Sequence, residues 1–257
     1  MTNRQRVTAI LAPIVLGVAF LALWQWFVVA RDIKPFLLPK PTAIWTEMVD
    51  FKDRIWEATK VTGFNALWGL VVGTVAGTAV ALIANRFRWF GEMIGPMSAA
   101  ANAIPIVALV TVFARMLDQT TETPRRLVIA VVAFFPIFVN VLRGLSQVEP
   151  VHLELMQSYA ASKSAVSRLV RFPNALPFLL TGVRVSSSLC VIAAIVSEYF
   201  AGQQNGLGSK ITGYAKSSNY PRAWAFVVAS CVLGLVFYVA ALLLERLAMP
   251  WKRRRST

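Results

Sequence analysis

The sequence predicts an all-α integral membrane protein with about six transmembrane helices. Of its 257 residues, 57% are hydrophobic and only 15% are charged, whereas charged residues make up about 25% of a soluble globular domain. The apolar residues gather in runs long enough to cross roughly 30 Å of hydrocarbon as helices. The net charge of +14 lies in short basic tracts between and after these runs, as expected of loops facing an anionic membrane surface. Nucleic-acid binding is not expected, because no soluble basic fold accompanies the charge.

The first predicted span is residues 8–30. Arg4 and Arg6 precede it, and it ends in aromatic residues that suit a membrane interface, namely Trp24, Trp26 and Phe27. Because the run is longer than the apolar core of a signal peptide, we interpret it as an uncleaved helix.

Residues 31–60 are more polar and predict an amphipathic helix. Pro41 suits the first position of a helix. Apolar residues then recur at helical spacing, namely Ile44, Met48, Phe51 and Ile55. This pattern leaves two placements open: the helix lies on the membrane surface, or it packs on the rest of the chain.

The second span, residues 61–84, carries three glycines four residues apart, Gly69, Gly73 and Gly77. Small residues at this spacing lie on one helix face and let two helix backbones approach closely. We interpret the stripe as helix packing within the chain rather than as a contact between two copies.

The third and fourth spans, residues 91–117 and 127–148, contain prolines and asparagines. Pro105 lies within ANAIPIVAL and predicts a break inside the membrane, which is tolerated where the freed backbone faces protein or a water-filled cavity. Asn102 and Asn140 are candidates for lining a translocation path, as is the break at Pro105.

The fifth and sixth spans are residues 178–201 and 223–248. Arg184 lies near one end of the fifth span, and we expect it to snorkel to the interface. Ser187 belongs to a serine triplet that either lines an aqueous path or packs between helices.

Glu198 ends the fifth span, immediately before AGQQNGLG. An ionisable residue at a membrane boundary indicates a functional site. The other interpretation is a solvated carboxylate at a helix end. Gly202, Gly206 and Gly208 allow the backbone after it to turn tightly.

Six spans place both termini on one side of the membrane. Lys and Arg in the loops tie between the two sides, but the compact loop with Arg86 and Arg88 and the basic tail WKRRRST favour cytoplasmic termini.

Between the fourth and fifth spans lies a long polar segment, residues 149–177. Pro150 can start a first short helix, and Ser162 is a candidate N-cap for a second. Pro173 either ends that second helix or marks its junction with the next span. Two short helices at an angle form a knob that can fit a partner's groove; alternatively, the segment only links two spans.

This polar segment resembles the coupling signature of permease subunits of bacterial ATP-binding-cassette importers. That signature runs Glu-Ala-Ala, three residues, Gly, nine residues, Ile-x-Leu-Pro. Glu154 takes the glutamate position, Ala160 the glycine position and Val170 to Pro173 the last four. Four further segments resemble the nitrate/sulfonate/taurine-type branch of these permeases, namely FLLPKPTAIW, AIPIVALVTVF, FFPIFVNVLRGL and VSEYFAGQQNGLG.

The resemblance implies the type I importer permease fold, with residues 1–60 as a first helix plus an amphipathic extracytoplasmic segment. Residues 61–257 are then the core permease domain. It also implies that two cytoplasmic ATPase subunits bind the polar segment. The implied ATPase-coupling residues are Glu154, Tyr159, Ala160, Ala161, Ser162, Arg168, Val170, Phe172 and Pro173.

Other partners are implied as well: an extracytoplasmic solute-binding protein, a second copy of the permease, and the lipid of the bacterial inner membrane. ATP and Mg are expected on the ATPase, with no cofactor or metal bound by this chain. The chain lacks a Gly-x4-Gly-Lys-Ser/Thr phosphate loop, so it is expected to be a non-catalytic transport subunit.

The polar segment departs from the signature at Ala160 and at Glu154-Leu155-Met156. Alanine resists the left-handed conformation of a helix-ending glycine by about 1 kcal/mol. We therefore expect either that the two short helices run on more continuously or that the turn uses ordinary dihedral angles.

The resemblance leaves the solute open between a nitrate-, sulfonate- or taurine-like anion and an organic heterocycle, a pyrimidine precursor of thiamine or riboflavin. The segments SEYFAGQQNGLG and PRAWAFVVAS lean toward the heterocycles. The alternative function is a secondary transporter, which would call for paired intramembrane carboxylates or inverted repeats; neither is seen in the sequence.

Overall fold

The computed structural model describes residues 3–249, apart from 88, 91, 94–95, 98–102, 104, 119 and 201–202, with side chains from residue 11 onward. Within these residues the chain is helical and has no strand. The helices are α1 Asn3–Ala30, α2 Pro41–Asp50, α3 Lys52–Ala84, α4 Ile106–Met116, α5 Thr123–Ser146, α6 Pro150–Ser158, α7 Lys163–Phe200, α8 Leu207–Lys216 and α9 Tyr220–Ala248.

Five of the described helices are long and apolar enough to cross a membrane: α1, α3, α5, α7 and α9. They correspond to the first, second, fourth, fifth and sixth predicted spans. The third predicted span, residues 91–117, lies partly outside the described residues, as does Asn102. Its described end is the shorter apolar helix α4, which starts directly after Pro105. Pro105 itself has extended dihedral angles (φ −74°, ψ 113°), so the predicted break is present.

The boundary predicted at residue 60 lies inside a helix. The chain turns at Phe51 (φ −108°, ψ 17°), and α3 begins at Lys52, so residues 52–60 continue into the second span. One residue outside helical dihedral angles is enough for this turn, and the amphipathic pattern runs across it without a change of period. Sequence periodicity therefore could not show where the turn falls.

Helix α2 packs on the chain itself. Ile44 is buried, and the Glu47 carboxylate accepts a hydrogen bond from Nε of Arg222 at 2.7 Å, at the start of α9. The Arg222 guanidinium also lies 3.5 Å from the centre of the Phe51 ring, a cation–π contact. Of the two placements that the sequence left open, the structure thus shows packing on the rest of the chain.

Helices α3, α5 and α7 form the core, and glycines let α3 lie directly against α5. A Cβ atom at Gly69 would lie 2.4 Å from the side chain of Ile129. At Gly73 a Cβ would lie 2.5 Å from Cβ of Ala133, and at Gly77 it would lie 2.9 Å from a carbonyl oxygen of α5. Such distances are too short for any side chain. The glycine stripe therefore faces α5 of the same chain.

The contact between α3 and α5 leads to a first prediction. Gly73→Val should destabilise the protein by roughly 1–3 kcal/mol, because overpacking forces helices apart. Thermal unfolding of the purified protein in detergent would measure this as a lower midpoint temperature. The control is Gly17→Val in α1, where an added Cβ meets nothing within 4 Å. An equal effect of the two substitutions would show that the stripe is not a tight contact.

Candidate functional site: the two ends of helix α7

The polar segment projects from the helix bundle. No residue of α6 is buried, and the side chain of Tyr159, just after it, is 76% exposed. Several large apolar side chains are exposed on the same segment, namely Val151, Leu155, Leu169 and Phe172. Apolar groups exposed together at a projecting turn are typical of a protein-binding surface.

The turn at Ala160 differs from both conformations expected from the sequence. Ala160 adopts the left-handed conformation, with φ of 47°, so the turn has the geometry for which the signature carries glycine. The amide of Ala161 donates to the carbonyl of Met156 at 3.0 Å, and the amide of Ala160 donates to that of Gln157 at 2.9 Å. These two bonds are those of a Schellman motif. They offset the cost of about 1 kcal/mol that alanine incurs here.

Ser162 starts the second helix of the polar segment. Its dihedral angles are extended, and its Oγ accepts a hydrogen bond from the amide of Ala165 at 3.2 Å. This confirms the N-cap predicted from the sequence.

Pro173 does not end the second helix. Helix α7 continues through Pro173 and Pro177 to Phe200, so the alternative that Pro173 marks a junction is the correct one. Residues Ser167–Arg171 wind as a π-helix, and the amide of Phe172 donates to the carbonyl of Ser167. The wider winding accommodates the proline ring and its missing N–H.

Asn174 fastens this end of α7 to the end of α5. Its Nδ2 donates to the carbonyl of Gly144 at 2.7 Å and to that of Gln147 at 3.1 Å. Asn174 was not predicted as a contact residue, because an asparagine after a proline indicates a local turn rather than a tertiary contact.

The opposite end of α7 carries Glu198, which is 1% exposed. The interpretation as a solvated helix-end carboxylate is therefore wrong. Its two carboxylate oxygens accept hydrogen bonds from the hydroxyl of Thr62 at 2.8 and 3.1 Å, and from the amide of Gly208 at 2.7 Å. The Thr62 oxygen in turn accepts from the amide of Leu207 at 2.9 Å. We call these four groups the Glu198 clasp.

Two glycines make room for the Glu198 clasp. A Cβ atom at Gly206 would lie 2.2 Å from the Glu198 carboxylate, and one at Gly208 would lie 2.3 Å from the carbonyl oxygen of Ile195. The chain can therefore bring the carboxylate against the start of α8 only because these positions lack side chains.

A second polar cluster lies beside the Glu198 clasp and centres on Arg125, which is 1% exposed. Arg125 Nη1 donates to Glu122 at 2.9 Å and to Oδ1 of Asn205 at 3.1 Å, and Nη2 contacts the carbonyl of Gln203. Asn65 Nδ2 donates to Glu122 at 3.0 Å. These five residues, the Arg125 cluster, connect α3, α5 and the loop between α7 and α8.

The loop before α5 is held in the same way. Asp118 accepts hydrogen bonds from the amide of Thr120 at 2.9 Å and from its hydroxyl at 2.8 Å. These bonds hold the pKa of Asp118 below its usual value. Because Gln203 Nε2 donates to the carbonyl of Thr120 at 2.8 Å, the two loops meet at this end of the bundle.

Arg184 makes an ion pair with an acid on another helix, and its snorkelling to the interface stays a prediction. Its Nη1 lies 2.9 Å from Oε2 of Glu245 on α9, so the charge is paired within the chain. Ser187 is fully buried, and its hydroxyl donates to the carbonyl of Arg184 at 2.7 Å. Asn140 is half-buried and donates to the carbonyl of Pro136 at 2.7 Å. Both of these side chains thus bond to the backbone of their own helix.

The turn at Ala160 gives a second prediction. Ala160→Gly should stabilise the turn by about 1 kcal/mol, because glycine adopts the left-handed conformation without steric cost. Hydrogen exchange at the amide of residue 161, which the turn protects, should slow by about fivefold.

The control for this prediction is Ala161→Gly at the neighbouring position. It should speed exchange at the same amide, because Ala161 does not have a positive φ and glycine adds only backbone freedom. Faster exchange in Ala160→Gly would contradict the geometry.

Comparison with known proteins extends the resemblance over most of the chain. The riboflavin transport system permease protein of Chloroflexus aurantiacus is 28% identical over 90% of this chain and 87% of that protein. The formylaminopyrimidine transport permease protein of Halalkalibacterium halodurans is 28% identical over 90% of this chain and 92% of that protein. An aliphatic sulfonates transport permease protein of Escherichia coli, a putative assignment in its own name, is 25% identical over 93% and 91%.

Solved structures share the fold. An amino acid ABC transporter chain superimposes with a TM-score of 0.63 at 16% identity, covering 77% of this chain and 96% of that one. A methionine ABC transporter chain in an inward-facing conformation gives a TM-score of 0.55 at 20% identity, covering 76% and 94%. The family model described as binding-protein-dependent transport system inner membrane component matches residues 43–249. The chain therefore belongs to this family of ABC transporter permeases.

Proposed function

We propose that this chain is the membrane-spanning subunit of an ATP-driven importer and that its polar segment is the docking site for an ATPase. The observation that carries the proposal is the projecting turn around Ala160, with Tyr159 and Leu169 exposed beside it. A soluble partner can cover these apolar groups, whereas the described residues of the chain leave them exposed. ATP and Mg belong to that partner, and this subunit transmits motion without doing chemistry.

Helix α7 is the element that carries the motion. Its 38 residues span roughly 57 Å at 1.5 Å per residue. It begins at the polar segment and ends near the Glu198 clasp. Displacement of the polar segment by the ATPase therefore acts on the far end of the bundle through a single helix, whose middle packs on α3, α5 and α9.

The same assignment orients the protein. An ATPase is cytoplasmic, so the polar segment faces the cytoplasm of a bacterial cell and the termini lie on that side of the inner membrane. The Glu198 clasp and the Arg125 cluster then lie on the extracytoplasmic side, where a solute-binding protein delivers its cargo.

The solute is proposed only as a class. Relatives are named for riboflavin, formylaminopyrimidine, aliphatic sulfonates and bicarbonate, so the choice between an organic heterocycle and a small anion stays with the binding protein. We assign the path to a pair of permease copies, with Asn102, Pro105, Asn140 and Ser187 as proposed path residues and Glu198 at the gate.

A charge reversal in the signature gives the third prediction. Glu154→Lys should weaken retention of the ATPase encoded beside this chain by roughly tenfold or more, as expected of a central interface residue. Co-purification from membranes in which both proteins are expressed measures this retention. The control is Glu57→Lys, which changes another exposed acid at the other end of the bundle and should leave retention unchanged.

Deletion of residues 152–172 is the second variant that tests the docking proposal. If the ATPase is retained by both Glu154→Lys and this deletion, the docking proposal is wrong. Solute uptake by the chain alone, driven by an ion gradient and without any ATPase, would instead support a secondary transporter.

A further inference from the structure

We propose that Glu198 and Thr62 are positioning residues for transport, whose hydrogen bonds together tie α8 to the end of α7 so that the two helices move as one body. The proposal rests on the proposed function, because the ATPase supplies the motion that α7 carries. It does not place the Glu198 side chain in the solute path, since the carboxylate is buried and fully engaged within the chain.

Glu198 acts as an N-terminal cap for helix α8. The N-cap residue of α8 is Gly206, which has no side chain to accept from the first free amides. Those amides, on Leu207 and Gly208, are taken by Thr62 and Glu198 from two other helices. A carboxylate at a helix N-terminus is stabilised by the exposed amides and the helix dipole. The start of α8 is therefore held by α3 and α7.

The hydroxyl of Thr62 connects three helices from a buried position, since Thr62 is 0% exposed. It donates to Glu198 and accepts from Leu207, so one oxygen connects α3, α7 and α8. Valine has nearly the same shape but no hydroxyl. Replacing Thr62 by valine would leave the buried amide of Leu207 without a partner and would remove one of the two donors of the buried Glu198 carboxylate, and each loss costs free energy.

The Arg125 cluster also fixes the loop between α7 and α8. Asn65 lies one helical turn after Thr62, so both face the same side of α3. Asn65 holds Glu122, and Glu122 and Arg125 hold Asn205 of the loop between α7 and α8. The connection from α7 to α8 is thus fastened at both the loop and the helix start. These hydrogen bonds leave α8 little freedom to move independently of α7.

The experiment uses the complex of the full chain with its ATPase in lipid nanodiscs. Spin labels are placed on α7 at Val185 and on α8 at Lys216, both exposed, after Cys190→Ala and Cys231→Ser. The labelled chain is diluted with unlabelled chain so that the measured distance lies within one copy. Distance distributions between the labels are measured without nucleotide and with ATP and vanadate. The variants are Thr62→Val, which removes the hydroxyl, and Thr62→Ser, which keeps it. Thr59→Val is the matched control, because the Thr59 hydroxyl bonds only to its own helix, at the carbonyl of Ile55.

If the clasp positions α8, the wild-type, Thr62→Ser and Thr59→Val chains give one distance that is the same in both states. Thr62→Val then gives a shifted second population with ATP and vanadate only. Two results overturn the proposal: an unchanged single distance in Thr62→Val, or a broadening that is equal in both states, which a purely structural role would produce.

The proposed function fails separately. If the ATPase does not co-purify with the wild-type chain, the docking assignment is wrong. No ATPase then supplies the motion that the clasp is proposed to transmit. If the complex forms and hydrolyses ATP but Thr62→Val shows either overturning result, only the clasp proposal is wrong.

Discussion

The close approach of α3 to α5 is the constraint on which the rest of the structure depends. Between helices in lipid there is no hydrophobic driving force, so association relies on packing and hydrogen bonds. The buried face of α3 supplies both in sequence order. Thr62 and Asn65 make hydrogen bonds near one end, and Gly69, Gly73 and Gly77 then bring the backbone against α5. The same face therefore sets the helix separation and positions the polar groups.

Charges inside the bundle follow from that packing. A buried charge is costly unless it is paired or hydrogen-bonded. Arg125 is held by Glu122, Arg184 by Glu245, and Glu198 by hydroxyl and amide donors. The second and third arrangements join different helices, and Arg125 also donates to Asn205 in the loop between α7 and α8, so these polar groups specify which elements meet. The apolar surfaces of the helices, which any neighbour or lipid can cover, do not specify this.

The sequence was sufficient where the signal is local. Apolar runs predicted the five long apolar helices among the described residues, residue spacing predicted a glycine face, and Ser162 was predicted as a cap from its position. It was insufficient where partners are distant: Thr62 and Glu198 are 136 residues apart, and no periodicity connects Arg184 with Glu245. At Ala160 the local preference was correctly known, but two backbone hydrogen bonds outweighed it. At Phe51 a turn of one residue left the helical pattern unchanged.

The two ends of α7 differ in helical winding and in exposure. At the polar segment the helix is wound loosely over Ser167–Arg171, and its surroundings are exposed. Just beyond, Asn174 attaches α7 to the last carbonyls of α5, which is a fixed point between the projecting turn and the span. From there the helix continues without interruption to Phe200 and ends near the buried hydrogen bonds of the Glu198 clasp. In the function that we propose, movement of the exposed turn about Asn174 is transmitted along this continuous helix to the Glu198 clasp.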